Sequence, residues 1–136
     1  MERSNSFDPA RWNACLKLLS GPLESLDAIQ HPAALVFHYD GRVQNGGHSL
    51  HFDSLHSVDH NELLRALRDV GAHQQASILS EARLLKLEAD EATEDERDSI
   101  WELIEDLDRR YYNLRPTIPE FLARYFDDHP VNFLSR

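Results

Sequence analysis

Between Glu88 and Asp108 the chain places eleven carboxylates against one base, Arg97. That segment carries a formal −10, and because the other 13 acids and 13 bases cancel, it holds the net charge of all 136 residues. Asp95, Asp98, Glu102 and Glu105 follow one another at steps of three, four and three, which on a helix sets their carboxylates along one line. Ile100, Leu103, Ile104, Leu107, Tyr111 and Leu114 recur at helical spacing on the other side, so one face reads as core and the other as a carboxylate rail. From Asp95 to Glu105 the rail spans about 15 Å, against a phosphate roughly every 3.4 Å on one DNA strand. Such a field repels nucleic acid and attracts basic surfaces. The partner-binding set read from this pattern is Glu91, Glu94, Asp95, Asp98, Glu102, Glu105, Asp106 and Asp108, with Tyr112 at the helix end as an interface aromatic.

A solvated helix face is the commoner meaning of such charge, and acids in a first turn stabilise a helix through its dipole whatever the function. The spacing argues the other way. Glu94/Asp98, Asp98/Glu102 and Glu102/Asp106 are like-charge pairs at i,i+4, each unfavourable by roughly 0.2–0.5 kcal/mol, and only Glu105/Arg109 and Asp106/Arg110 offer relief.

Other chemistry is poorly supplied. His48/His51 and His56/His60 have spacings that can share a metal on a helix, but no HExxH or CxxC motif accompanies them, and surface or capping roles are the commoner fate of such histidines. Cys15 is the one cysteine; it lies near the apolar face of a helix, where a free thiol packs as a small hydrophobe, and it cannot close an intramolecular disulfide. Catalytic carboxylate pairs need a cleft, whereas this rail is expected to be exposed. Asn45-Gly46-Gly47 lacks the Lys and the spacing of a phosphate loop and reads as a sharp turn. No catalytic residue, metal ligand or cofactor is therefore assigned, and the protein is expected not to be an enzyme.

The elements that must carry the rail are legible in outline. Asp8-Pro9 caps a first helix through Trp12, Leu16 and Leu19, which Gly21-Pro22 ends. Ala33 to Tyr39 reads as a second helix closing near Asp40-Gly41, with a strand as the alternative that its β-branched and aromatic content leaves open, followed by the Gln44–Gly47 turn and a short helix and loop over His48 to Ser57. Asp59 with Glu62 opens a helix through Leu63, Leu64, Leu67 and Val70, ended by Gly71. A further helix runs from about His73 to Leu87. Thr93 with Glu96 opens the acidic helix, Pro116 ends it, and Pro119 starts a last helix to Asp128. The expectation is an all-α, compact single-domain bundle of about six helices over residues 1–136. With 41% hydrophobic residues, a polar start from Met1 to Asp8 and no long apolar run, neither secretion nor a membrane span is expected, and the cytoplasm is the default location.

The order of signals, Asn45-Gly46-Gly47, then Phe52, then the helix closed by Gly71-Ala72, then Ala82, Leu107-Asp108 and Tyr111-Tyr112, resembles the neisserial DNA-mimic protein family, with its DNA-mimic protein 19 type domain, over about residues 33 to 128. After the turn the family typically shows an aromatic residue and then Gln, where this chain has His48 and Leu50, and His51 stands at another usually aromatic place. The resemblance implies an all-helical, acidic protein. It further implies a dimer that imitates duplex DNA and occupies a transcription factor's DNA-binding surface. It brings no catalytic motif. Together with the localised charge, it leads to the expectation of a DNA mimic whose partner is a basic protein, a DNA-binding regulator or a nuclease, with no direct nucleic acid and a homodimer as one arrangement. An immunity or antitoxin-like inhibitor of a toxin is the alternative, and a histidine-based metal protein or enzyme the third.

Overall fold

The computed structural model describes residues 8–53 and 59–133. His56, in the third reading above, lies outside them. Among the described residues there are seven helices, one 3₁₀ turn and no strand. No described helix is long and apolar enough to cross a membrane.

Local sequence sets the ends of most elements. α1 (Pro9–Leu19) starts where the Asp8 carboxylate accepts from Ala10 N–H, with Pro9 at the first helical position. α3 (His60–Asp69) starts where Asp59 accepts from Asn61 and Glu62. Gly71 follows α3 at φ +93°, a left-handed backbone that glycine adopts without a Cβ clash. α5 (Glu94–Asn113) and α6 (Ile118–Asp128) each open with a reciprocal capping box, Thr93 with Glu96 and Thr117 with Glu120. α7 (Pro130–Phe133) is a last short turn of helix that the sequence pattern did not reveal.

Two boundaries differ from expectation. α2 runs from Gln30 to Asp53, straight through Gly41, because Ala33, Ala34, Val36, Tyr39 and Val43 are all buried and packing outweighs one glycine's preference. It is broken instead at Gly46 and Gly47, whose backbone leaves the helical region, so the Asn-Gly-Gly turn survives as a kink between residues 30–45 and 48–53. α4 (His73–Glu91) extends one turn beyond Leu87, and Ala89 is buried within that turn.

α2 is the central element: α1, α3, α5 and α6 all pack on it. Tyr39, Leu63, Leu67, Leu79, Leu107 and Leu122 belong to the core they share. α4 and α5 form an antiparallel hairpin closed by Ala92 and Thr93. The closed end of this hairpin has its own small apolar cluster, in which Ala89, Ile100 and Ile104 pack with Leu85, Ala92 and Trp101. The acidic segment is thus carried on a helix pair with its own support, at one end of the main core.

Candidate acidic interface on the α4–α5 hairpin

Glu91, Glu94, Asp95, Asp98, Glu102, Glu105 and Asp106 are exposed, the first at the end of α4 and the others on α5. On α5 they lie opposite the buried residues Ile100, Ile104, Leu107 and Tyr111. Little opposes their charge. Among the described residues, ion pairs in the segment reach Asp90, from Lys86 at 2.7 Å, and Asp106, from Arg109 at 2.8 Å. The Arg109–Asp106 pair is largely solvated on both sides, where such pairs contribute little. Arg97 makes no ion pair with the band among the described residues: its guanidinium donates to Ala89 O at 3.1 Å and Ala92 O at 3.0 Å, closing the carbonyl end of α4. Glu91, Glu94, Asp95, Asp98, Glu102 and Glu105 are left without an ion pair among the described residues.

Two residues placed in the set by spacing have other surroundings. Asp108 does not belong to the exposed band. Its side chain, 14% exposed, turns inward, and Oδ1 accepts from the His48 backbone N–H at 2.9 Å and from His48 Nδ1 at 2.7 Å. Lying on the α2 side of α5, it caps the second limb of α2 from another helix. Tyr112 is 40% exposed, but its hydroxyl donates to Val43 O at 2.6 Å, so its polar end is committed to α2. The stripe opposite the rail is also narrower than the periodicity suggested: Leu103 is 53% exposed, at the edge of the core face.

What the sequence reading missed is a buried polar network behind the band. His48 and His51, expected near the surface, are enclosed. His48 bridges α2 and α5, its Nδ1 hydrogen-bonded to Asp108 at 2.7 Å and its Nε2 to the Tyr39 hydroxyl at 2.6 Å. Tyr111 donates to Asp40 at 2.6 Å, and Arg42 Nε donates to His51 Nδ1 at 3.1 Å. Burial raises the Tyr39 and Tyr111 hydroxyls far above the ordinary tyrosine range. Burial first, and then the Arg42 charge, lower His51 to about 3. Asp40 is pushed up by its own burial, against the hydrogen bond from Tyr111.

This network explains part of the pattern that carried the family resemblance: Gly47, Asp108 and Tyr111-Tyr112. Gly47 sits at φ +72°, and a Cβ there would overlap the Asp108 carboxylate. The turn glycine, Asp108 and the Tyr111-Tyr112 pair are therefore parts of one joint that seats α5 on α2. A buried hydroxyl or carboxylate without such partners costs several kcal/mol, so the residue types are tied to one another by hydrogen bonding. Their shared role is to orient the acidic helix.

The fold and this hairpin define a class: an all-helical protein that turns one acidic helix face to solvent. A family model for DMP19-like protein matches residues 24–129, and the chain belongs to that family. No curated protein and no solved structure matches the chain.

Proposed function

We propose that this protein is a non-enzymatic binding domain whose acidic band occupies the basic, DNA-binding surface of another protein in place of nucleic acid. The observation that carries the reading is the set of exposed, unpaired carboxylates along α5, opposite its core face. A purely structural helix gains nothing from three consecutive like-charge i,i+4 pairs, which oppose its formation. An apposed cationic surface turns the same repulsion into attraction. With four carboxylates over about 15 Å and further acids beside them, the band approaches the charge density of one phosphate strand, and its likeness to DNA is electrostatic rather than stereochemical. Membership of the DMP19-like protein family agrees with this reading.

The test is displacement of labelled duplex from a basic DNA-binding regulator by the full chain. Displacement is expected to weaken as salt rises, and the Asp98→Lys/Glu102→Lys variant is expected to abolish it. Undiminished displacement by that variant removes the band from the mechanism.

A further inference from the structure

A second site lies at the open end of the α4–α5 hairpin, away from the acidic band. The first turn of α4, the Arg115-Pro116 stretch that follows α5, and Phe121 on α6 surround a cavity of about 240 Å³. In a chain with a formal charge of −10, none of the residues that line it is Asp or Glu. The cavity is smaller than the roughly 300–1,000 Å³ of sites that take drug-sized ligands, and it suits a molecule the size of one amino acid.

Its polar groups are only half used. Gln75 lines it and is 2% exposed. Nε2 donates to Pro116 O at 3.0 Å, and because a proline carbonyl only accepts, this bond fixes the orientation of the amide. Oε1 is left with no donor among the described residues. Buried acceptors in proteins nearly always meet a donor, so this oxygen points to a ligand that supplies one. The start of α4 has the opposite need. Ala72 offers no side-chain oxygen as a cap, and His73 N–H turns back to Gly71 O at 3.0 Å. The N–H groups of Gln74 and Gln75 have no acceptor among the described residues. Arg115 also lines the cavity. Its Nη1 donates to Leu114 O at 2.7 Å and Tyr112 O at 3.3 Å, and its guanidinium makes no ion pair among the described residues.

We propose that this cavity binds a carboxylate that carries an N–H on its α-carbon, as in a free α-amino acid or the last residue of a peptide. The carboxylate accepts from the Gln74 and Gln75 N–H groups and from Arg115, the ligand's N–H donates to Gln75 Oε1, and an aliphatic side chain rests against Phe121 and Pro116. The unpaired groups select this class. A bare anion satisfies the donors but sets negative charge against Oε1, and an amine satisfies Oε1 but leaves the donors unmet. The site is independent of the acidic band and of its partner.

Four small probes separate the parts of the proposal without altering the protein. Titration of the isotope-labelled full chain with L-leucine and with N-acetyl-L-leucine, followed by amide NMR, is expected to move the Gln74 and Gln75 resonances and to leave those of Asp98 and Glu102 in place. Leucinamide lacks the carboxylate and 4-methylpentanoate lacks the N–H; each is expected to bind roughly tenfold or more weakly than leucine or its N-acetyl form. Binding of leucine alone assigns the free amino acid, and binding of N-acetyl-L-leucine assigns the peptide end. Arg115→Gln, at an exposed position where the melting transition checks the fold, is expected to weaken the bound ligand by roughly tenfold. Resonances that stay in place with both leucine compounds up to about 10 mM overturn the proposal. So does leucinamide or 4-methylpentanoate binding as tightly as the ligand, or an Arg115 variant that binds like the parent.

Discussion

At the scale of single residues, the joint between α2 and α5 depends on a glycine. Replacing Gly47 by Ala puts a Cβ into the Asp108 carboxylate on a backbone at φ +72°, so strain and the loss of Asp108 from His48 act together. The expected cost is about 3 kcal/mol in urea unfolding. Gly41 is the control: it lies inside α2 with nothing within 4 Å of a built Cβ, and Gly41→Ala is expected to stabilise by about 0.5–1 kcal/mol. His51 gives a pH signature. Below pH 6.5 the unfolded chain protonates this histidine, while the folded one resists down to about pH 3. The stability it contributes is complete above 6.5 and is lost as the pH falls toward 3, with a slope approaching about 1.4 kcal/mol per unit. Asp40, raised by burial, acts in the opposite direction over the carboxylate range. His51→Gln keeps an acceptor for Arg42 and is expected to flatten the acid limb in denaturation followed across pH. None of this joint was legible as such: Asp108 has the same residue type and nearly the same spacing as the rail, and only the approach of α2 separates it. The Asn-Gly-Gly turn was legible, because glycine content reports a backbone requirement whatever packs there.

Among the elements, α5 carries conflicting requirements. Its capping box and Ile100, Ile104, Leu107 and Tyr111 favour the helix, and its successive acidic i,i+4 pairs oppose it. Asp98 lies in two of those pairs, with Glu94 and with Glu102. Asp98→Lys is therefore expected to stabilise the fold by about 0.5–1 kcal/mol in thermal or urea unfolding while it weakens partner binding. A residue kept only for the helix would not separate the two readouts in that way. The starts of α1, α3 and α5 could be read from their caps, since a cap is a local arrangement of a few residues, whereas the start of α6 was read from Pro119 and its Thr117/Glu120 capping box was missed. The course of α2 through Gly41 could not, because burial of Tyr39 and Val43 is decided by α5 and α3, which lie far along the chain. Leu103 failed for the related reason that periodicity locates a face but does not fix its width.

For the whole molecule, charge and fold are separable. The 13 acids and 13 bases outside residues 88–108 cancel, and the hairpin that carries the −10 has a small apolar cluster of its own, so the band's repulsion is concentrated where the main core contributes least. Composition alone makes this separation visible, because charge is counted along the chain; the direction in which the band faces depends on how α5 is seated on α2. One measurement reads both. Raising ionic strength from about 0.01 M to 0.15 M shortens the screening length from about 30 Å to 8 Å, which relieves repulsion within the band and weakens its attraction for a cationic surface. Added salt is thus expected to raise the melting temperature of the free protein and, over the same range, to release a basic partner. The Asp98→Asn/Glu102→Gln variant, at two exposed positions in the middle of the band, is expected to melt higher at low salt and to show a smaller rise on salt addition and a smaller loss of partner. A variant that leaves both salt responses at the parent's size would place the repulsion, and with it the binding face, elsewhere on the surface.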